Sequence, residues 1–250
     1  MKRDYKFFSV FIIFIIQVLT GALIGGVLSG PIQRSAVVSI LVSLAVSLLG
    51  SVFTFTIAGG LLRDRMGSVS DYLNQVNYIN GRVITVAFLV SIITTIVTRL
   101  FQFTGGMSLV SSFMSPNSSA VFAIGAILLP LILMVVSYIV YLFFSYTYLY
   151  LADTYDKKES VGSSIKNIFA IGKRLFKRTF VMYLKYIILP SIAFLLITIG
   201  AVIALGDPGL IVLFIGLIIY LFYVVIVYVV TTARLSDIYL DYKESLEESI

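Results

Sequence analysis

The sequence predicts an all-α membrane protein of six helical spans, and three observations carry that prediction. Of its 250 residues 60% are hydrophobic and only 12% charged, where soluble globules are nearer half apolar, and the mean hydropathy is +1.07. The apolar residues gather in continuous runs of about the 20 residues that cross the hydrocarbon core, rather than in the alternating pattern of barrel strands. Lys and Arg collect on every second connection between the runs.

Six runs qualify as spans: Phe7–Leu28, Val37–Leu62, Val83–Phe103, Val121–Leu151, Phe180–Leu205 and Leu210–Val230. They leave no stretch for a soluble domain. The first is longer than a signal-peptide core and another span follows at once, so it is read as a span. Lys2, Arg3 and Lys6 precede it; Arg63, Arg65 and Arg82 follow the second span, seven basic residues between Lys157 and Arg178 follow the fourth, and Arg234 and Lys243 follow the sixth. Only Arg34 and Arg99 fall on the other side. The positive-inside rule therefore places both termini in the cytoplasm of a multi-pass cell-membrane protein. Lys185, just inside the fifth span, is placed to snorkel back to that interface. Pro31, Pro116 and Pro208 mark turns in the three outer connections.

The two inner connections read as amphipathic helices. In Ser164–Arg178, Ile165, Ile168, Phe169, Gly172, Leu175 and Phe176 recur at three- and four-residue spacing. Lys166, Lys173, Arg174, Lys177 and Arg178 take the opposite face, as expected of a helix lying among headgroups and capped by Ser163 or Ser164. The earlier connection carries a similar stripe of Val69, Tyr72, Leu73, Val76, Ile79 and Val83, with far fewer basic residues.

Comparison of the chain with itself suggests a repeat. Phe53-Thr54-Phe55-Thr56 recurs as Phe144-Ser145-Tyr146-Thr147, and Gly81-Arg82 recurs at the same offset as Gly172-Lys173. Asp156-Lys157-Lys158-Glu159-Ser160 recurs as Asp241-Tyr242-Lys243-Glu244-Ser245. The expected organisation is one membrane domain of three parallel hairpin units, about 1–82, 83–178 and 179–250, each ending in a cytoplasmic amphipathic segment. Parallel units differ from the inverted repeats of many transporters.

The chemistry available is narrow. Cys, His and Trp are absent, which removes thiolate nucleophiles, imidazole bases and the commonest zinc ligands; no catalytic residue, metal or cofactor is expected. No ionisable residue lies in the middle third of a span, which argues against coupled transport, proton pumping and voltage sensing. The net charge of +6 sits beside the spans, so its expected partners are membrane lipids, anionic headgroups among them, rather than nucleic acid.

Several features keep two readings. Tyr138, Tyr141 and Tyr146 of the fourth span and Tyr223 of the sixth outline a cavity for an amphiphile, or form an aromatic belt with ordinary helix packing, the plainer reading. The basic residues 166–178 dock a cytoplasmic protein partner or sense lipid charge, or serve only as a topology determinant. Pro130, Pro190 and the pair Gly21 and Gly25 mark a kink or dimer face, or ordinary packing. Asn117-Ser118-Ser119 fits the glycosylation pattern on an outer loop.

A span ending in aromatic, Thr and Tyr residues, then Asp-x-Lys-Glu-Ser, then Ser-Ile-Lys-Asn-Ile-Phe-Ala-Ile-Gly-Lys-Arg-Leu-Phe, then another span, resembles a broad prokaryotic family related to the membrane domain of glycerophosphoryl diester phosphodiesterases. The resemblance is clearest over residues 140–200, with an echo at 53–103. It implies a multi-span helical fold. The soluble phosphodiesterase domain is missing here, and no catalytic residue carries over. The expected function is a non-enzymatic scaffold, assembly or regulatory partner; the alternative is the membrane subunit of an ATP-driven exporter or amphiphile transporter. An enzyme acting on lipid is the least supported.

Overall fold

The computed structural model describes residues 3–28, 36–96, 135–205 and 207–248. Within them the chain is all-helical, with no strand. The helices are α1 Phe7–Leu28, α2 Ala36–Arg63, the short α3 Val69–Leu73, α4 Gly81–Ile96, α5 Val135–Asp153, α6 Val161–Tyr183, α7 Leu189–Leu205 and α8 Asp207–Glu247. Five helical stretches are long and apolar enough to cross a membrane, and a sixth is added if a bent pair counts as one span. Large apolar side chains stand exposed along them, including Val27, Ile203 and Phe222. Water penalises such faces and hydrocarbon does not, so the chain is compatible with a membrane protein.

The apolar runs set α1 and α2 almost to the residue. Three expectations change. First, α6 does not stop at Arg178: the helix is continuous from Val161 to Leu205, passing through a π-wound segment, Leu184–Ile188. The apolar residues from Phe180 onward extend the basic helix, because no Gly or Pro interrupts it at 178 and the Thr179 hydroxyl donates back to the Leu175 carbonyl at 3.0 Å. Second, α6 begins earlier, and Ser160 rather than Ser163 or Ser164 caps it: the Ser160 hydroxyl accepts the Ser163 N–H at 3.2 Å. Third, the stripe from Val69 to Val83 is not one helix. After α3 the chain tightens into a 3₁₀ segment, Asn74–Tyr78, whose three-residue period swaps two faces. Gln75 is buried and Val76 exposed. Gln75 fills the space left by the missing Cβ of Gly59, and its amide oxygen accepts from Arg63 at 2.5 Å.

Two compact units form, each discontinuous in sequence: one of Met1–Thr20, Val52–Tyr78 and Arg174–Ile250, the other of Gly21–Ser51 and Ile79–Lys173. The core of the first joins Val10 and Ile13 of α1, Ile57 and Leu61 of α2, Tyr72 of α3, and Val229 and Ala233 of α8. Gly60 makes room for the Tyr72 ring, which occupies the place a Cβ would take. In the same unit α7 packs on α8, with Phe194 stacked on Tyr220 at 4.5 Å. In the second unit Gly172 of α6 lies against the Phe143 backbone of α5, and the Phe143 and Phe169 rings meet at 4.7 Å. Gly21 and Val46 bring α1 and α2 into ordinary contact, 3.6 Å from the Cβ position to Cγ1. Lys2, Pro31, Arg34, Arg99, Pro116, Asn117, Pro130 and the outer part of the fourth span lie outside the described residues.

Candidate functional site

Polar chemistry concentrates where the helices end. In the second unit, Arg82 in the first turn of α4 donates to Glu159 Oε2 at 2.9 Å, to the Ser164 hydroxyl at 3.3 Å, to the Thr154 hydroxyl at 3.2 Å and to the Thr154 carbonyl. Glu159 is saturated. Its Oε1 accepts from Asn167 at 2.6 Å and Ser163 at 3.0 Å, and its Oε2 accepts also from Tyr150 at 2.7 Å and Ser164 at 3.1 Å. Burial alone would raise the Glu159 carboxyl, but the donors Tyr150, Ser163 and Ser164 and the charge of Arg82 outweigh it and hold it below its ordinary value. Asn80 adds to the arrangement: its side-chain oxygen caps the Val83 N–H at 3.0 Å while its amide reaches the Tyr155 carbonyl at 2.7 Å. The ends of α4, α5 and α6 are thus held by one ion pair and its hydrogen bonds.

The first unit has a counterpart. Arg65 Nη2 meets Asp237 Oδ1 at 2.6 Å, and Nη1 donates to Ser236 at 2.9 Å. Its Nε reaches the Asp4 carbonyl at 3.1 Å. The Arg65 carbonyl accepts from the Lys6 N–H at 2.8 Å and the Tyr72 hydroxyl at 3.0 Å. Burial pushes the Tyr72 phenol up to about 12, so it stays protonated and donating at any physiological pH. Arg234 braces the far oxygen of Asp237 at 3.2 Å. Arg3 completes the group, 2.8 Å from Asp241 and 2.6 Å from Glu244.

The sequence did not mark these two clusters as sites: Arg3, Arg65 and Arg82 counted as orientation signals, and Arg82, Glu159, Asp241 and Glu244 as members of repeat matches. One signal was available. Glu159 and Glu244 hold the same place in the recurring Asp-x-Lys-Glu-Ser, and each pairs with an arginine at or just ahead of the start of an apolar helix. The paired side chains of Arg3, Arg65, Arg82, Glu159, Arg234, Asp237, Asp241 and Glu244 are engaged within the chain, which suits clamping.

The basic residues of α6 lie elsewhere. Lys166, Lys173, Arg174, Lys177 and Arg178 are all exposed, while Ser164, Ile168, Ile171, Leu175 and Thr179 of the same helix are buried. Lys166 and Lys173 belong to the second unit; Arg174, Lys177 and Arg178 belong to the first. The Arg174 guanidinium stacks over the Tyr242 ring at 5.2 Å.

The four tyrosines differ from one another. Tyr146 is wholly buried, Tyr138 half-buried and Tyr141 exposed, all on α5 in the second unit. Tyr223 is in the first unit and its hydroxyl donates to the Tyr186 carbonyl at 2.6 Å. Two further half-buried hydroxyl contacts escaped the sequence reading: Tyr148 to Ser51 at 2.6 Å, and Ser191 with Tyr220 at 2.6 Å. Among the described residues no group of three His, Cys, Asp or Glu is placed to hold a metal ion. Comparison with protein-family models, curated proteins and solved structures finds no match for this chain.

Proposed function

We propose that this chain is a non-enzymatic membrane protein of six spans that scaffolds, assembles or regulates a partner at the cytoplasmic face. The observation that carries the reading is the exposed basic side of α6, which is available for docking while the paired charges of both clusters are not. Both termini are placed in the cytoplasm by the distribution of Lys and Arg. The six-span count takes Val83–Phe103 as the third crossing, in addition to the five long apolar stretches.

Three parallel hairpin units are part of the proposal. Two details support it beyond the sequence matches. Ser68-Val69 and Ser160-Val161 each open a helix with the serine as cap, Ser68 accepting from Asp71 at 3.3 Å and Ser160 from Ser163 at 3.2 Å. The helix that follows each cap also sends an amide back to the end of the preceding span, Gln75 against Gly59 and Asn167 to Tyr150 at 3.0 Å. The resemblance to the phosphodiesterase-associated membrane domain fits the same picture, a multi-span helical module.

The test is purification of the tagged protein from its native host in mild detergent, followed by mass spectrometry of bound proteins and lipids. The reading expects a stoichiometric membrane or peripheral partner that is lost when Lys166, Lys173, Arg174, Lys177 and Arg178 are changed to Gln. A stoichiometric ATPase would instead favour the exporter subunit, and a single retained lipid species without protein would favour the amphiphile cavity.

A further inference from the structure

Four cations of the first unit form a row at the point where a basic helix becomes an apolar one. Arg174, Lys177, Arg178 and Lys185 are all exposed, and at 1.5 Å per residue the row runs for about 16 Å along the axis. Exposed Val181 and Phe180 stand within it. Beyond it lies α7, which carries no charged residue. No carboxylate is within ion-pair distance of any of the four among the described residues. Asp241 and Glu244, which flank the Tyr242 ring on which Arg174 stacks, are already taken by Arg3. The Lys185 ammonium rests over the Tyr186 ring at 5.5 Å.

The order of the row decides what it meets. An acidic soluble protein can reach Arg174 and Lys177, but Lys185 stands inside the run of apolar residues that begins at Phe180, where a soluble partner has no access. A lysine there extends along the helix to bring its ammonium to the phosphate level. Apolar side chains interleaved with cations suit the boundary between headgroups and acyl chains, where anionic lipid attracts each basic group.

We infer that Arg174, Lys177, Arg178 and Lys185 form a binding row for the phosphates of anionic phospholipid in the leaflet that α6 enters. This goes beyond the reading above and rests on its membrane placement alone, with Lys166 and Lys173 of the second unit left for the protein partner. The row holds negatively charged lipid against the helix and sets the depth at which it enters the bilayer.

The test uses the full chain reconstituted in phosphatidylcholine vesicles carrying spin-labelled phosphatidylglycerol or spin-labelled phosphatidylcholine. The motionally restricted fraction of each label gives the relative affinity of lipid for the protein. Each basic group near an anionic surface contributes up to about fivefold, and mobile headgroups share it among many sites. A preference for phosphatidylglycerol of roughly three- to tenfold at low salt is therefore expected, falling as salt screens it. The combined change Lys177→Gln, Arg178→Gln and Lys185→Gln brings that preference below about twofold. Lys177→Arg with Lys185→Arg keeps it, and so does Lys157→Gln with Lys158→Gln. An unchanged restricted fraction of phosphatidylcholine label shows that each variant is still folded in the bilayer. Equal affinity for the two lipids in the native chain, or an unchanged preference in the triple variant, overturns the inference and leaves the membrane reading standing. Displacement of the labelled lipid by soluble polyglutamate at constant ionic strength overturns it in favour of an acidic protein. A chain that restricts neither label overturns the membrane reading itself.

Discussion

The Tyr223 hydroxyl donates to the Tyr186 carbonyl at 2.6 Å, and that carbonyl lies four residues before Pro190, which has no N–H to offer it. The helix adapts locally through its π-wound turn, in which the Leu189 N–H bonds to the Leu184 carbonyl. Tyr223 stands in for the missing backbone donor. Tyr223→Phe should therefore cost about 1 kcal/mol. The cost should shrink when Pro190→Ala restores the N–H. Unfolding in mixed micelles measures the cycle, and strict additivity would separate the two residues.

Arg82 and Glu159 are a shielded pair, 9% and 17% exposed at their side chains. Removing one partner leaves the other charge stranded among groups arranged to neutralise it. Arg82→Met should lower stability by about 3 kcal/mol, whereas Arg82→Met with Glu159→Met should lose less than the sum of the single changes. Thermal unfolding of the detergent-solubilised variants checks both.

The same pair sets an acid limit. The Glu159 carboxyl is held below its ordinary value in the folded protein, so its contribution is complete above the unfolded value of about 4.3 and is lost as pH falls through the lower folded value. The melting temperature of Glu159→Gln should start lower at pH 7 and fall less steeply below about pH 4.5 than that of the native chain. Asp71, lowered by its hydrogen bonds to Ser68, leaves the variant some residual slope. Parallel curves would show that Glu159 is not the group responsible.

Two glycines of α6 should respond in opposite ways to alanine. Gly162 has nothing within 4 Å of its Cβ position, so Gly162→Ala should raise stability by roughly 0.5 kcal/mol through better helix propensity. A Cβ at Gly172 would run into the backbone carbonyl of Phe143. Gly172→Ala should therefore lower stability by about 2 kcal/mol despite the same gain in propensity. Melting temperatures of the two variants provide the comparison.

Helix positions were legible because an apolar run of span length can satisfy its backbone in lipid only as a helix. The first two runs match α1 and α2 nearly residue for residue. In α6 a period of 3.6 separates buried Ile168 and Leu175 from exposed Lys166 and Lys173, but Phe169 of the same stripe is exposed. The 3₁₀ turn at Asn74–Tyr78 was not legible, because Gln75 is buried only through a space that Gly59 creates in another helix. Nor were the two clusters. Arg82 and Glu159, or Arg65 and Asp237, lie far apart in sequence, and a count of positive charges records an arginine without recording what it holds. The use of Tyr223 needed knowledge of which carbonyl Pro190 had left without a donor.

The bond between Arg3 and Glu244 joins residues 241 positions apart, and it gives the first unit a schedule. At 5–20 residues per second, Arg3 emerges from the ribosome roughly 10 to 50 seconds before its partner. During that interval the clamp around Arg65 lacks Ser236 and Asp237 as well. The second unit needs nothing beyond residue 173, so the Arg82 and Glu159 pair can close while α8 is still being made. The acidic groups of α8 thus reach Arg3 and Arg65 long after both have been made, and this clamp stays open until α8 is in place.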